Sequence, residues 1–339
     1  MSSGYDHLVM PPVPRPRDPR ADELAAQIDA DRDVPGDFPA RGSVPVTVLV
    51  PTLREQDDIV ECLRRLRWAE QVALIDSGSA DDTVPLAQAM GAEVFWFDYK
   101  QHSPTGWPKK RNWALEHAPL RHEWVMFMDA DEHMTPQLAR EIEGVVTGRH
   151  TPPRNGCGDG YWVNRRMMFH GRWIKHGGYY PAWNLRLFKH AVGRFEKLTQ
   201  QGDTNSGDMV VHEHVRLTTG EAGFLDNDFL HHEFANFHEW VEKHNRYSSW
   251  EAQVAVHGEP DGIPPKLFGT PQQRRRWLKH ATRKLPFRPT IRFLYHFFWR
   301  KGFLEGRAGY GLARMLAAYE TMTVVKSYEQ RLMDSQSES

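Results

Sequence analysis

Acidic residues at three points in the first half of the chain carry its clearest chemical possibilities. Glu55 follows Pro51 and Thr52 in VLVPTLREQDD, Asp76 opens DSGSADDT with Asp81 five residues on, and Asp129 and Asp131 flank one alanine in FMDADEHM. Brought together, such carboxylates repel one another, so a bound cation or hydrogen-bond donors must offset them. A divalent cation on carboxylate oxygens can bridge substrate phosphates and stabilise charge growing on a leaving group. Each acid also has a structural use: Glu55 in a first helical turn, Asp76 as a turn former, Asp129 and Asp131 as helix caps ahead of Met134, Thr135 and Pro136. Their joint occurrence in one alternating framework favours a site.

That framework is strand, helix, strand. Residues 46–50 (VTVLV), 72–75 (VALI), 93–97 (EVFWF) and 124–128 (WVMFM) are short apolar runs of the kind found in covered parallel strands. Between them Ile59, Cys62, Leu63 and Leu66 recur at helical spacing. A second helix starts at a cap on Ser79 or Asp81 and runs to Gly91, and a third spans 109–117. The alternation predicts a parallel α/β sheet, whose ligands sit beyond the carboxyl ends of the strands. All three acidic points fall there.

The ordered motifs VLVPTLREQDDIVECLRRL, LIDSGSADDT, KKRNWAL and FMDADEHMTPQL resemble the family 2 glycosyltransferases of the GT-A fold. The second half, with GYWVNRRMMFHGRWIKHGGYYPAWNLRLFKH, VHEHV and LHHEFANFHEWVEKHNRYS, is similar to a branch adding glucose to the inner core of lipopolysaccharide. The resemblance covers residues 44–325. It implies a Rossmann-like, mixed but mainly parallel sheet flanked by helices, with a C-terminal helical extension. It also implies an inverting, metal-dependent transfer of a hexose, glucose in that branch, from a UDP-sugar to a hydroxyl of a lipid-linked or oligosaccharide acceptor.

By the same resemblance Mn²⁺ or Mg²⁺ is the cofactor, with Asp131 the direct ligand, Asp129 a second ligand or a ribose contact, and His231 completing the shell. Pro51, Thr52, Glu55, Asp76 and Asp81 line or support the nucleoside pocket. Lys110 and Arg111 place cations against the diphosphate, as can Lys109, although family members often have Gln where Lys110 stands. Glu213 in VVHEHV is the expected general base, with Glu132 in reserve. A strand over 210–215 would turn Glu213 away from His212 and His214. HEH does not match HExxH, and Cys62 and Cys157 lack partners, so no zinc site is expected.

The segment FHGRWIKHGGYYPAWNLRLF mixes Trp173, Tyr179, Tyr180 and Trp183 with Arg172, Lys175, His176 and Arg186. Aromatic faces stack on sugar CH surfaces and basic groups bind phosphorylated or carboxylated acceptors, so it is the expected acceptor side, unless it forms a core under a loop. Gly177 and Gly178 suggest a tight turn or a close backbone approach.

Charge separates the two ends of the 339-residue chain. The net charge of −1 hides residues 262–304, which hold 11 Lys/Arg and no Asp or Glu, against 32 basic and 44 acidic residues elsewhere. Over 273–301 the cations interleave with Trp277, Phe287, Phe293, Phe298 and Trp299, while Ile291, Leu294, Tyr295 and Phe298 keep helical spacing. This suits an anionic membrane surface, or helices packed on the catalytic part. No nucleic-acid module accompanies it, so nucleic acid is not an expected partner.

Two cysteines cannot make a disulfide scaffold, no run is apolar enough to span a bilayer, and the N-terminus lacks the order of a secretory signal. A cytoplasmic protein on the inner face of the membrane is expected. The expected divisions are a loose arm over 1–42, a catalytic domain over 43–235 (donor half 43–150, acceptor half 151–235) and a basic helical region over 236–330. A sugar-phosphate nucleotidylyltransferase would need a Gly-rich basic loop where PTLREQDD stands. A catalytically silent sugar- or membrane-binding protein would have little use for Asp129, Asp131 and Glu213.

Overall fold

The computed structural model describes residues 14–98, 110–150, 152, 158–195, 214–232, 236–258, 264–282 and 285–337. Four strands, β1 (Val44–Thr52), β2 (Ala69–Asp76), β3 (Glu93–Trp96) and β4 (Trp124–Phe127), run parallel in the order β3-β2-β1-β4. They alternate with α2 (Ile59–Arg64), α3 (Thr83–Ala89) and α4 (Lys110–His117). The sheet continues through β8 (Trp183–Lys189), β6 (Gly160–Phe169), β11 (Ala222–His231) and the short β5 (Glu132–His133), with β7 (Arg172–Trp173) paired to β6. Strands β6 and β11 keep the direction of β4, whereas β8, β5 and β7 oppose it. The fold is therefore mixed α/β with a mainly parallel sheet, as expected.

Residue alternation explains why both faces are covered. Val46, Val48 and Val50 of β1 pack with Ile59 and Leu63 of α2 and with Leu138 and Ile142 of α5 (Pro136–Val146). Leu49, pointing the other way, joins Phe127, Phe188 and Trp113 of α4. Thr47 fits this buried setting because its hydroxyl donates to Gln71 at 2.7 Å. Thr135 caps α5 by accepting the Leu138 N–H, so Asp129 and Asp131 are released from that task. Residue 82 holds the cap position of α3, and Asp81 instead accepts from the Thr83 N–H and hydroxyl.

The stretch expected to be a loose arm is docked over its described part. The Arg15 N–H donates to the Val94 carbonyl, Gln88 exchanges hydrogen bonds with Pro16 and Asp18, and α1 (Ala21–Gln27) seats a fully buried Ala21. Pairing with polar groups of α3 and β3 holds it there, together with Leu24, Ile28 and Phe38, which pack against the main core.

The C-terminal part is helical: α6 (Phe237–His257), α7 (Pro271–Thr282), α8 (Arg288–Leu294), a π turn (Tyr295–Trp299), a 3₁₀ turn (Gly302–Glu305) and α9 (Gly306–Ser337). The helical face read across Ile291–Phe298 is thus interrupted at Tyr295 by a wider turn. Lys326 of α9 donates to the Asn245 carbonyl and to the Ser248 and Ser249 hydroxyls on α6. None of the described helices is long and apolar enough to cross a membrane.

Candidate active site

The carboxyl ends of β1, β2 and β4 meet at one edge. Asp76 is fully buried and turned onto its own loop: it accepts from the Gly78 and Ser79 N–H groups at 3.0 and 3.1 Å, from the Ser79 hydroxyl and, at 3.4 Å, from Thr52. It shapes the DSGS turn and has little capacity left for a ligand. Arg15 stands beside it, 3.8 Å from its carboxylate and stacked over the Trp96 ring at 4.4 Å. Lys110 donates to the Thr52 carbonyl at 3.1 Å, which brings the start of α4 to the end of β1. Pro51 pairs with Ile75 at this strand end. Lys109 lies outside the described residues.

In the acidic loop Asp129 and Asp131 diverge. Asp129 receives Arg111 at 2.7 Å on one oxygen and Arg186 at 3.1 Å on the other. Loss of water would raise its pKa, but the two guanidinium groups hold it well below the usual carboxylate range. Each Asp129 oxygen thus takes one guanidinium, and its side chain stays 32% exposed. Glu132, expected as a reserve base, is likewise committed. It is fully buried and accepts the Asp129 N–H at 2.9 Å and Arg186 at 2.6 Å. Burial pushes its carboxyl up to about 7 despite Arg186. The geometry makes it the brace of the loop, closed to a substrate hydroxyl.

Asp131 points to the other side. His231 Nε2 lies 3.4 Å from its carboxylate and Lys243, on α6, at 3.8 Å. Strand pairing builds this contact: His231 sits opposite Glu132, and the next residue's N–H donates to the Asp131 carbonyl at 2.9 Å. His231 Nδ1 is buried without a hydrogen-bond partner. Glu55 is half-buried nearby, and desolvation together with Asp131 and Asp58 raises its pKa to about 8. The pocket therefore gathers three acids, Asp131, Glu55 and Asp58, around Lys243 and His231, and burial with their crowding keeps Glu55 protonated.

Asp131 and His231 Nε2, 3.4 Å apart, fit one side of a divalent ion's shell, a mixed oxygen and imidazole set better suited to Mn²⁺ than to Mg²⁺, with phosphate and water oxygens supplying the rest. Among the described residues no group of three or more His, Cys, Asp and Glu is gathered closely enough to hold an ion by itself. Glu213 and His212 lie outside the described residues.

The expected acceptor residues separate into three settings. Arg172 and His176 are held by the buried Glu305, at 3.1 and 2.7 Å, and Tyr179 packs with Ile174 and Leu312, so these three join the sheet to the C-terminal helices. Gly177 and Gly178 make both the turn and the close approach: each has a positive φ, and a Cβ on Gly178 would press on His296 and Arg300. Trp173 and Tyr180 stack edge to face at 5.1 Å beside Arg166 and Asp228, which pair at 2.8 Å. Trp183 lines a separate cleft between the sheet and residues 264–274. Arg186, grouped by sequence with acceptor-side cations, lands on the acidic loop. Lys243 and Arg15 went unnoticed because nothing in their local sequence marks them; docking of α6 and of the N-terminal stretch puts them there.

Fold and site together define an α/β protein whose strand ends form an acidic, cation-seeking crevice. Residues 47–201 match the model of glycosyl transferase family 2, and this part of the chain is a family 2 glycosyltransferase domain; the protein is a glycosyltransferase. It is 25% identical over 298 residues, 86% of this chain and 94% of the relative, to the lipopolysaccharide core biosynthesis glycosyltransferase LpsC of Rhizobium meliloti (strain 1021). It is 24% identical over 216 residues, 62% of this chain and 68% of the relative, to an uncharacterized glycosyltransferase of Rickettsia prowazekii. Among solved structures, S. aureus TarS 1-349 is similar at a TM-score of 0.37 and 14% identity, covering 85% of this chain and 92% of that one. Glucosyl-3-phosphoglycerate synthase of Mycobacterium tuberculosis, solved with Mn²⁺ and UDP, is similar at 0.27 and 22%, covering 45% and 50%.

Proposed function

We propose that this enzyme is an inverting, divalent-metal-dependent hexosyltransferase that uses a UDP-sugar, glucose being the favoured hexose, and acts on a hydroxyl of a lipopolysaccharide-core or other lipid-linked saccharide. The observation that carries the reading is the pairing of Asp131 with His231 in a crevice of crowded carboxylates, walled by Arg111, Lys110 and Lys243. A divalent ion there supplies charge stabilisation for the departing diphosphate. Lys243 and Lys110 add positive charge on either side, Thr52 and Glu55 border the nucleoside, and Asp76 and Asp81 shape the turn beneath it. Asp129, Glu132 and Arg186 fix the loop so that Asp131 keeps its direction. Glu213, by family resemblance, takes the proton from the acceptor hydroxyl as that oxygen attacks C1 and the nucleoside diphosphate leaves. Tyr180, bonded to Asp228, and Trp173, edge to face with it, are acceptor-side aromatics.

The basic helical region supports work at an anionic membrane surface. Phe287 and Trp299 are 81% and 79% exposed, with Leu294, Phe298 and Leu304 also in the open, and Arg300 and Lys301 accompany them. Each cation at an anionic surface contributes about 1 kcal/mol. Arg288 and Arg292 are not part of that surface charge, because both pair with Glu320.

Thermal shifts with UDP, GDP and CDP, each with Mn²⁺ or with EDTA, test the donor. UDP with Mn²⁺ should stabilise most, and no response to any nucleotide would sink the reading. Glu213→Gln should keep the UDP shift and lose turnover; retained turnover would remove Glu213 as base. Vesicles containing phosphatidylglycerol should pellet the enzyme and neutral vesicles should not, and Phe287→Ser with Trp299→Ser should weaken the difference.

A further inference from the structure

A cleft of about 900 Å³ lies away from the nucleotide edge, on the sheet face formed by β8, β6 and β11. Its wall carries three rings on these adjacent strands. Phe224 of β11 stacks on Trp162 of β6, centroids 6.2 Å apart at 21°, and meets Trp183 of β8 edge to face at 5.0 Å. Its lining also includes Arg216 of β10 (Val215–Leu217), Lys266 in the segment before α7 and Arg274 in the first turn of α7. All three cations are exposed, and Glu221 is the one acid among the described lining residues.

Strand register connects this cleft to the reaction centre. In the β4–β8 pairing Met126 stands opposite Leu187. Beyond that pair β4 ends at Phe127, and Asp129 lies two residues further, in the acidic loop. Arg186 of β8 bonds Asp129 directly. Trp183, at the aromatic end of the cleft, thus lies on the same strand as the arginine that holds the acidic loop, three residues away.

Aromatic faces favour the CH surfaces of sugar rings, and guanidinium and ammonium groups favour carboxylate or phosphate oxygens. The volume is at the upper end for small-molecule sites, room for a short saccharide and more than a single ion needs. A nucleotide is a poorer occupant, since its diphosphate is matched by the Asp131 crevice across β4. We propose that this cleft binds a saccharide bearing carboxylate or phosphate groups and presents it as the acceptor. The acceptor role rests on the glycosyltransferase reading above; the binding itself does not.

The test is saturation-transfer NMR on the full chain with three probes: trehalose 6-phosphate, cellobiouronic acid and unsubstituted trehalose. At least one charged probe should bind about tenfold or more tighter than trehalose, as a charge-assisted hydrogen bond predicts. Which of the two wins tells phosphate from carboxylate. The double change Lys266→Glu with Arg274→Glu, both at the surface, should erase that preference while leaving the UDP and Mn²⁺ thermal shift intact. Trp183→Ala should weaken all saccharides. Equal binding of charged and neutral probes, a double variant that keeps the preference, or a Trp183→Ala variant that binds unchanged would each overturn the cleft. A UDP shift without saccharide binding would overturn the cleft alone. Selective charged-saccharide binding without a UDP shift would keep the cleft and withdraw the donor reading.

Discussion

Asp129 and Asp131 stand two residues apart in one loop and end in opposite electrostatic situations. Around Asp129, two arginines meet two carboxylates, Asp129 and Glu132, and every oxygen has a partner. Around Asp131, a histidine with an unpartnered ring nitrogen and one lysine face a set of acids that includes Glu55 and Asp58. One side has its carboxylates matched by arginines; the other buries and crowds acids so closely that Glu55 holds its proton, which a cation beside Asp131 would release. A DxD pattern in a sequence therefore need not mean two equivalent metal ligands. The strongest way to break the comparison is Asp131→Ala. Turnover should fall about a thousandfold or more, the loss of roughly 4 kcal/mol of metal-based charge stabilisation, and the UDP shift should stop depending on Mn²⁺. A variant that still responds to Mn²⁺ would place the ion elsewhere.

The neutralised side should answer in stability. Arg186→Met would leave Glu132 buried without its cation, and removing one partner of a buried pair costs about 3 kcal/mol or more. Urea unfolding should show that loss without any ligand present. Arg111→Met should cost about 1 kcal/mol or less, because its partner Asp129 is 32% exposed and Arg186 remains. Similar losses from the two would mean that Arg186 does not brace the loop.

What could be read from the sequence was whatever the chain writes locally. Four apolar runs became β1–β4 because continuous β-branched and aromatic residues suit a strand covered on both faces, and the acids at their ends met because parallel strands end on one edge. What each acid does there depended on partners that approach from far along the chain. Arg186 reaches Asp129 through the register of β8 against β4, and His231 reaches Asp131 through the pairing of β11 with β5. Lys243 arrives only when α6 docks. Glu305 was hidden for another reason. It lies one residue beyond the acid-free segment, yet its buried carboxylate gathers Arg172, His176 and two backbone N–H groups from the aromatic loop. Local pattern fixes an element's type, whereas these contacts depend on where elements dock.

The smallest expected effect tests the crowding of acids without altering either aspartate. Glu55 has its carboxyl raised to about 8 by burial and by Asp131 and Asp58, against an ordinary 4.5. Between those values the folded chain keeps a proton at Glu55 that the unfolded chain has lost. The stability this protonated form contributes is fully present below about pH 4.5 and is lost as pH rises through 8. Glu55→Gln mimics the protonated form, so the variant should match the wild type near pH 5 and melt a few degrees higher near pH 9. Adding Mn²⁺ at pH 9 should narrow the gap, since a cation beside Asp131 favours the ionised Glu55 of the wild type. Melting curves that stay parallel from pH 5 to 9 would show that neither burial nor Asp131 holds a proton on Glu55, and the crowding of acids in the crevice would lose its support.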